Sequence, residues 1–130
     1  MVKTITINGD KIHDIPSLYE EINRVFMLNE DWKIAQSLDA LNDLFYGGFG
    51  EINGNEEIRL IWKNFEKNRK DLGPAVTKAF YFNKLESPSI FNVDFVNEKL
   101  AELENGSGKT YFEIVLEIID EHPNIKLIPE

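Results

Sequence analysis

The chain has 130 residues, enough for about one domain at the usual ~100–200 residues each, which argues against a two-domain machine with a cleft between its halves. Hydrophobic residues make up 42% and aromatic ones 12%, so a core can form without a covalent staple. Cysteine is absent, which removes disulfides, thiolate nucleophiles and Cys-based zinc or iron–sulfur sites, and 14 Lys and Arg against 23 Asp and Glu leave a net charge of −9.

That charge is unevenly spread. Residues 9–57 hold 11 acids and 3 bases, a net of −8, while the rest of the chain holds 12 acids and 11 bases. A surface that tracks phosphates needs Lys and Arg to displace counterions, so this stretch is a poor nucleic-acid binder and suits a basic partner or a cation. Solubility alone is the competing explanation. No segment approaches the ~20 apolar residues of a spanning helix, and the N-terminus lacks the continuous apolar run of a signal peptide. The expectation is a cytoplasmic protein with no membrane partner.

In chain order, residues 2–7 alternate β-branched side chains and read as a strand that stops at Asn8-Gly9-Asp10. Pro16 suits the first turn of a helix whose apolar stripe is Leu18, Ile22, Val25 and Phe26, and polar Asn29-Glu30-Asp31 interrupts it. Ser37 is the expected N-cap of a second helix, with Leu38, Leu41 and Phe45 on one face and Gly47-Gly48 and Gly50 at its end. Ile58, Leu60, Ile61 and Trp62 read as a second strand, and residues 63–71 as a third helix anchored by Phe65 and stopped by Gly73-Pro74.

Within residues 74–92, Phe80-Tyr81-Phe82 fits a buried helix or a strand, and Ser87-Pro88-Ser89 is a break. Val93, Val96, Leu100 and Leu103 restore helical spacing, and Asn105-Gly106-Ser107-Gly108 reads as a flexible join. The last helix starts at a reciprocal Thr110/Glu113 cap and presents Phe112, Val115, Ile118 and Ile119; His122-Pro123-Asn124 ends it, and residues 125–128 form a third strand. Strands alternating with helices predict an α/β single domain with a three-stranded parallel sheet flanked by helices.

Several chemistries fail on spacing. Gly106-Ser107-Gly108-Lys109-Thr110 resembles the tail of a phosphate-binding loop, but Leu103 stands where that loop needs its first glycine, and a helical pattern precedes it where a strand is required. The only histidines are His13 and His122, both expected at the surface, so neither a His-rich metal site nor a hydrolase triad has support. No cofactor is implied. Carboxylate pairs could serve glycosidase-type acid–base work, which keeps a small hydrolase as an outside reading.

The pair that stands out is Asp39 and Asp43, which i,i+4 spacing places on one helical face with Tyr46. Like charges so placed cost roughly 0.2–0.5 kcal/mol in an isolated helix. The helix dipole compensates Asp39 near the cap but not Asp43. Acids beside a rigid aromatic suit an interface with a basic partner, and a solvated acidic face fits the same spacing.

The stretch Ser37-Leu38-Asp39-Ala40-Leu41-Asn42-Asp43-Leu44-Phe45-Tyr46-Gly47-Gly48-Phe49-Gly50 resembles the signature of the barstar family, intracellular inhibitors of barnase-type ribonucleases. Thr4-Ile5-Thr6-Ile7-Asn8-Gly9 resembles that family's first strand and turn, Trp62 with Phe65 its third helix, and residues 109–128 its ending. The resemblance covers residues 2–73 and 109–128, so that 1–130 would be one barstar-like domain with 74–108, roughly 35 residues, inserted in a connection.

What the resemblance implies is a non-enzymatic immunity protein that blocks a basic toxin ribonuclease with carboxylates placed where RNA phosphates would lie. By position Asp39 and Asp43 match the inhibitory aspartates, Glu117 matches a further enzyme-facing carboxylate, and Tyr46 joins them. Two departures bear on the surface: Asn42 stands where the best-known inhibitor has a tryptophan, and the longer loop over residues 29–36 lacks its glycine but offers Trp32 as an aromatic. The implied partner-binding set is therefore Asp39, Asp43, Tyr46, Glu117, Asn42 and Trp32. An alternative is an acidic interaction module of the same fold that contacts a non-nuclease partner through Phe80-Tyr81-Phe82.

Overall fold

Alternation of apolar and polar side chains makes three strands, β1 (Lys3–Asn8), β2 (Ile58–Lys63) and β3 (Ile125–Pro129), and each turns every second residue inward. A computed structural model describes residues 2–85 and 92–130. All pairings are parallel, with β2 in the centre: Ile7 lies opposite Trp62, and Ile58 opposite Ile125. Ile5, Ile7, Ile58, Leu60, Trp62 and Ile125 are buried, whereas Thr4, Arg59 and Lys126 on the opposite face are exposed. The sheet is thus packed on one side, unlike most all-parallel sheets.

Six α-helices lie among the described residues. A short 3-10 turn (Gly9–Lys11) follows β1, and then come α1 (Ile15–Phe26) and α2 (Leu38–Phe45) before β2. Between β2 and β3 lie α3 (Phe65–Asp71), α4 (Pro74–Leu85), α5 (Val93–Glu104) and α6 (Tyr111–Asp120). The α1 cap is Asp14, whose carboxylate accepts from Ser17 N–H while Ser17 Oγ accepts from Asp14 N–H, each at 2.9 Å. The Ser17 hydroxyl, which donates to Asp14 Oδ1 at 2.6 Å, and then Ser17 N–H hold the Asp14 carboxyl below its ordinary value.

The α3 start differs from the expectation. Lys63 completes β2, and Asn64, in the left-handed region at φ 57°, turns the chain so that α3 begins at Phe65. Here a buried polar joint forms: Trp62 Nε1–H donates to Asn68 Oδ1 at 2.7 Å, and Asn68 Nδ2 donates to the Gly9 carbonyl at 3.0 Å. Gly9 is required because a Cβ there would stand 2.1 Å from the Lys63 carbonyl oxygen.

The ambiguous aromatic run is helical. In α4, Tyr81 is buried, Phe80 is half-buried with its ring 5.1 Å from Tyr111, and Phe82 is left 57% exposed. Tyr81, Val96, Leu100 and Leu103 form a small apolar cluster between α4 and α5, and Phe80 packs against both it and the main core. Thr77 ties α4 to α6: its hydroxyl donates to the Gly73 carbonyl and accepts from Tyr111 N–H, both at 2.8 Å. The Ser87-Pro88-Ser89 break lies outside the described residues.

Residues 105–108 are not a loose join. Ser107 and Gly108 N–H both donate to the Glu102 carbonyl, at 3.0 and 2.9 Å, and Asn105 Oδ1 accepts from Ser107 N–H, so the segment is a hydrogen-bonded helix terminus. The reciprocal Thr110/Glu113 cap of α6 is present as expected. Deep in the core, the hydroxyls of Tyr19 and Tyr111 share a 2.6 Å hydrogen bond between α1 and α6, and burial pushes the Tyr111 phenol up to about 12.

Removing Asn68 strands the buried Trp62 indole N–H and takes one of two donors from each of the Gly9 and Ile12 carbonyls. Asn68→Ala is expected to lower the unfolding free energy by about 2–3 kcal/mol in urea titrations. The exposed Asn97→Ala should change it by less than about 0.5 kcal/mol.

Candidate functional site

The second helix is framed before it is functional. Ser37 Oγ accepts from Ala40 N–H at 3.1 Å to start it, and Leu41, Leu44 and Phe45 are buried beneath it. The preceding loop is pinned by Asn23 inside α1, whose Oδ1 accepts from Ile34 N–H at 2.9 Å while its Nδ2 donates to the Tyr19 carbonyl at 2.9 Å. The following loop is pinned by Gly47 at φ 82°, where a Cβ would stand 2.4 Å from the Gly54 carbonyl oxygen. It is pinned again by Glu51 N–H, which donates to the Phe26 carbonyl at 2.8 Å.

From this frame Asp39, Asp43 and Tyr46 point outward, with both aspartates exposed and Tyr46 65% exposed. The Asp43 carboxylate has no hydrogen bond or ion pair among the described residues, and it sits in the last turn of α2, at the negative end of the helix dipole. Asp39 shares a cleft of about 540 Å³ with Phe80, Asn83 and Lys84 of α4. Burial holds the Lys84 ammonium below its ordinary value, and the Asp39 carboxylate acts in the other direction. The Lys84 ammonium lies 4.4 Å from the centre of the Phe80 ring.

The other expected residues are placed differently. Trp32, 45% exposed on the loop before α2, rests on Phe49 with ring centres 5.0 Å apart. Asn42 lies on α2 but its Oδ1 is turned to His122 Nε2 at 2.7 Å. Glu117 is on α6 and pairs with Lys109 at 2.5 Å, which raises the Lys109 ammonium above its ordinary value. It lines a separate cleft with Tyr81 of α4. The structure thus groups Asp39, Asp43 and Tyr46, and it puts α4 beside both the Asp39 cleft and the Glu117 cleft.

His122 corrects a surface expectation. It is 4% exposed, its ring lies 4.7 Å from Tyr46 and 5.7 Å from Phe45 in edge-on contacts, and burial pushes its imidazole below the ordinary 6.5, partly offset by Glu121. No signal in the sequence marks it, whereas a polar Asn23 beside the Ile22 and Phe26 stripe could have been singled out. His13, by contrast, is exposed as expected.

Part of the acidic stretch is consumed internally. Glu21 is buried, accepts from Asn8 N–H at 2.7 Å and pairs with Arg24 at 2.7 Å, while Lys3 bridges Glu51 and Glu56 at 3.6 Å each. Among the described residues no group of three or more His, Asp or Glu could hold a metal ion, and no helix is long and apolar enough to cross a membrane.

Residues 2–82 match the model of the family described as Barstar (barnase inhibitor). The chain belongs to the barstar family. No curated protein matches it. The match runs from β1 into α4 and so contains the whole α2 face with its two loops, while Glu117 and His122 lie beyond it. Barstar-family proteins are inhibitors with a protein partner, and this chain has a three-stranded parallel sheet flanked by helices.

The lowered imidazole of His122 has a stability consequence. The unfolded chain binds a proton at His122 more readily than the folded one, so this contribution is intact above about pH 6.5 and is lost as pH falls through the lower folded value. In thermal melts between pH 7.5 and 5, wild type should lose more stability than His122→Gln.

Proposed function

We propose that this chain is an immunity protein that acts in the cytoplasm by blocking the active site of a barnase-type or toxin ribonuclease with the α2 face. The observation that carries the reading is Asp39 and Asp43, held one turn apart on an outward helix face whose cap and preceding loop are pinned by hydrogen bonds. A ribonuclease binds RNA phosphates through Arg and Lys, so its site is a basic cleft. Carboxylates presented on a rigid helix meet it with charge-assisted hydrogen bonds and lose little freedom on docking. The protein itself catalyses nothing on this reading.

Each expected residue then has a role. Asp43 enters the phosphate pocket most deeply, Asp39 binds at its rim, Tyr46 packs as the aromatic beside them, and Trp32, backed by Phe49, covers the flank. Glu117 adds a further carboxylate once the enzyme's cations compete with Lys109 for it. Asn42 lies between the aspartates, although its amide oxygen is already satisfied by His122. We read residues 74–108 as an insertion on the barstar-like body, supported by their own apolar cluster, with the start of α4 up to Phe82 inside the family match and tied to the main core through Thr77 and Phe80. With Phe80 and Tyr81 packed inward, the aromatic run offers a partner mainly Phe82.

The test is inhibition of purified barnase and of a panel of basic barnase-type ribonucleases. Asp39→Ala and Asp43→Ala should each weaken inhibition by about 30-fold or more, in a range to which the barnase–barstar pair itself contributes measurements. Added salt should slow wild-type association more than that of either variant. Inhibition unchanged by both substitutions would remove α2 from the mechanism.

A companion measurement separates function from folding. Asp43→Asn relieves like-charge repulsion and the dipole conflict, so it should raise stability in urea by about 0.2–0.5 kcal/mol while inhibition falls.

A further inference from the structure

The buried imidazole of His122 does no work in the inhibitory reading, yet its surroundings are specific. It stands on the turn between α6 and β3, where His122 N–H donates to the Ile119 carbonyl at 3.1 Å and its own carbonyl accepts from Ile125 N–H at 2.9 Å. The backbone is therefore fixed at both sides by the end of a helix and the start of a strand. From there the ring reaches α2, donating Nε2–H to Asn42 Oδ1 at 2.7 Å and meeting the rings of Phe45 and Tyr46 edge-on. One of those rings is in the core and the other is 65% exposed on the candidate face.

An exposed tyrosine at a helix C-terminus has rotamer freedom that it must lose on binding, and such losses subtract directly from affinity. An edge-on ring beneath it removes that freedom in advance. The amide of Asn42, bonded to the same imidazole, ties α2 to the His122 turn between the two aspartates. We propose that His122 is a positioning residue for the α2 face: it preorganises Tyr46 and Asn42 from below, and Asn42 acts inward through His122 and not on the partner. The functional half of this inference rests on the inhibitory reading. Among the described residues, the titratable groups against the imidazole are Tyr46 from α2 and Glu121 from its own turn.

Two arms test it. In the free protein, followed by NMR from pH 7 to 5, the Tyr46 ring resonances should move in step with the His122 titration, and the movement should vanish in His122→Gln. Tyr46 resonances indifferent to that titration would overturn the proposal without any partner.

With a ribonuclease that wild type inhibits, His122→Phe keeps a ring and loses the hydrogen bond, and Asn42→Ala loses the same bond from the other side. Each, checked for a native circular dichroism spectrum, should weaken inhibition about three- to tenfold through faster dissociation. The double variant should be no worse than either single one. Additive losses would overturn the proposal, because they would mean that Asn42 meets the partner directly. If no ribonuclease is inhibited by wild type, the inhibitory reading falls, and the NMR arm still decides whether His122 positions Tyr46.

Discussion

Leu41, Leu44 and Phe45 are fully buried, and the rest of α2 depends on that anchorage. A helix this short has little stability of its own in water, and this one carries two like charges one turn apart with the second at its negative end. Its conformation is therefore imposed from outside, by the core below, the Ser37 cap in front and the glycine turns behind. Because the scaffold bears the unfavourable electrostatics, Asp43 can point at solvent with its charge uncommitted to the fold, and Asp39 is exposed beside the Lys84 cleft.

The distribution of acids gains a second meaning from the structure. Glu21, Glu51 and Glu56 belong to the same acidic stretch as the aspartates but are occupied in holding β1, α1 and the loop after α2 together. Net charge along the sequence therefore overstates the acidity of the surface. The long-range field still favours approach of a basic partner, and on the proposed reading close contact falls to a few carboxylates, chiefly those of α2.

The strands, the parallel order, the α2 cap and the α6 cap were legible because each is written in local spacing: alternation, a capping pair, a glycine after an apolar stripe. The aspartate pair was legible for the same reason. Phe80-Tyr81-Phe82 was not, since three consecutive aromatics satisfy a strand and a helix alike, and packing decides it: Phe80 on Tyr111 and Tyr81 on α5. The contact between His122 and Asn42 joins residues 80 apart in the chain, and nothing local distinguishes a histidine before a proline as buried. The sheet's more exposed face is legible in part, because Thr4, Arg59 and Lys126 alternate with buried apolar neighbours along the strands.

Tyr111 and Phe112 open α6 by donating their N–H groups to Thr77 and to the Leu72 carbonyl, partners supplied by the corner between α3 and α4. The axis of α6 is thus inherited from a bend made much earlier in the chain. The turn that follows α6 carries His122, and His122 lies under Tyr46. A hydroxyl on α4 is in this way part of the specification of an aromatic ring on a different helix, so that residues which never approach a partner help to set the shape the partner would meet.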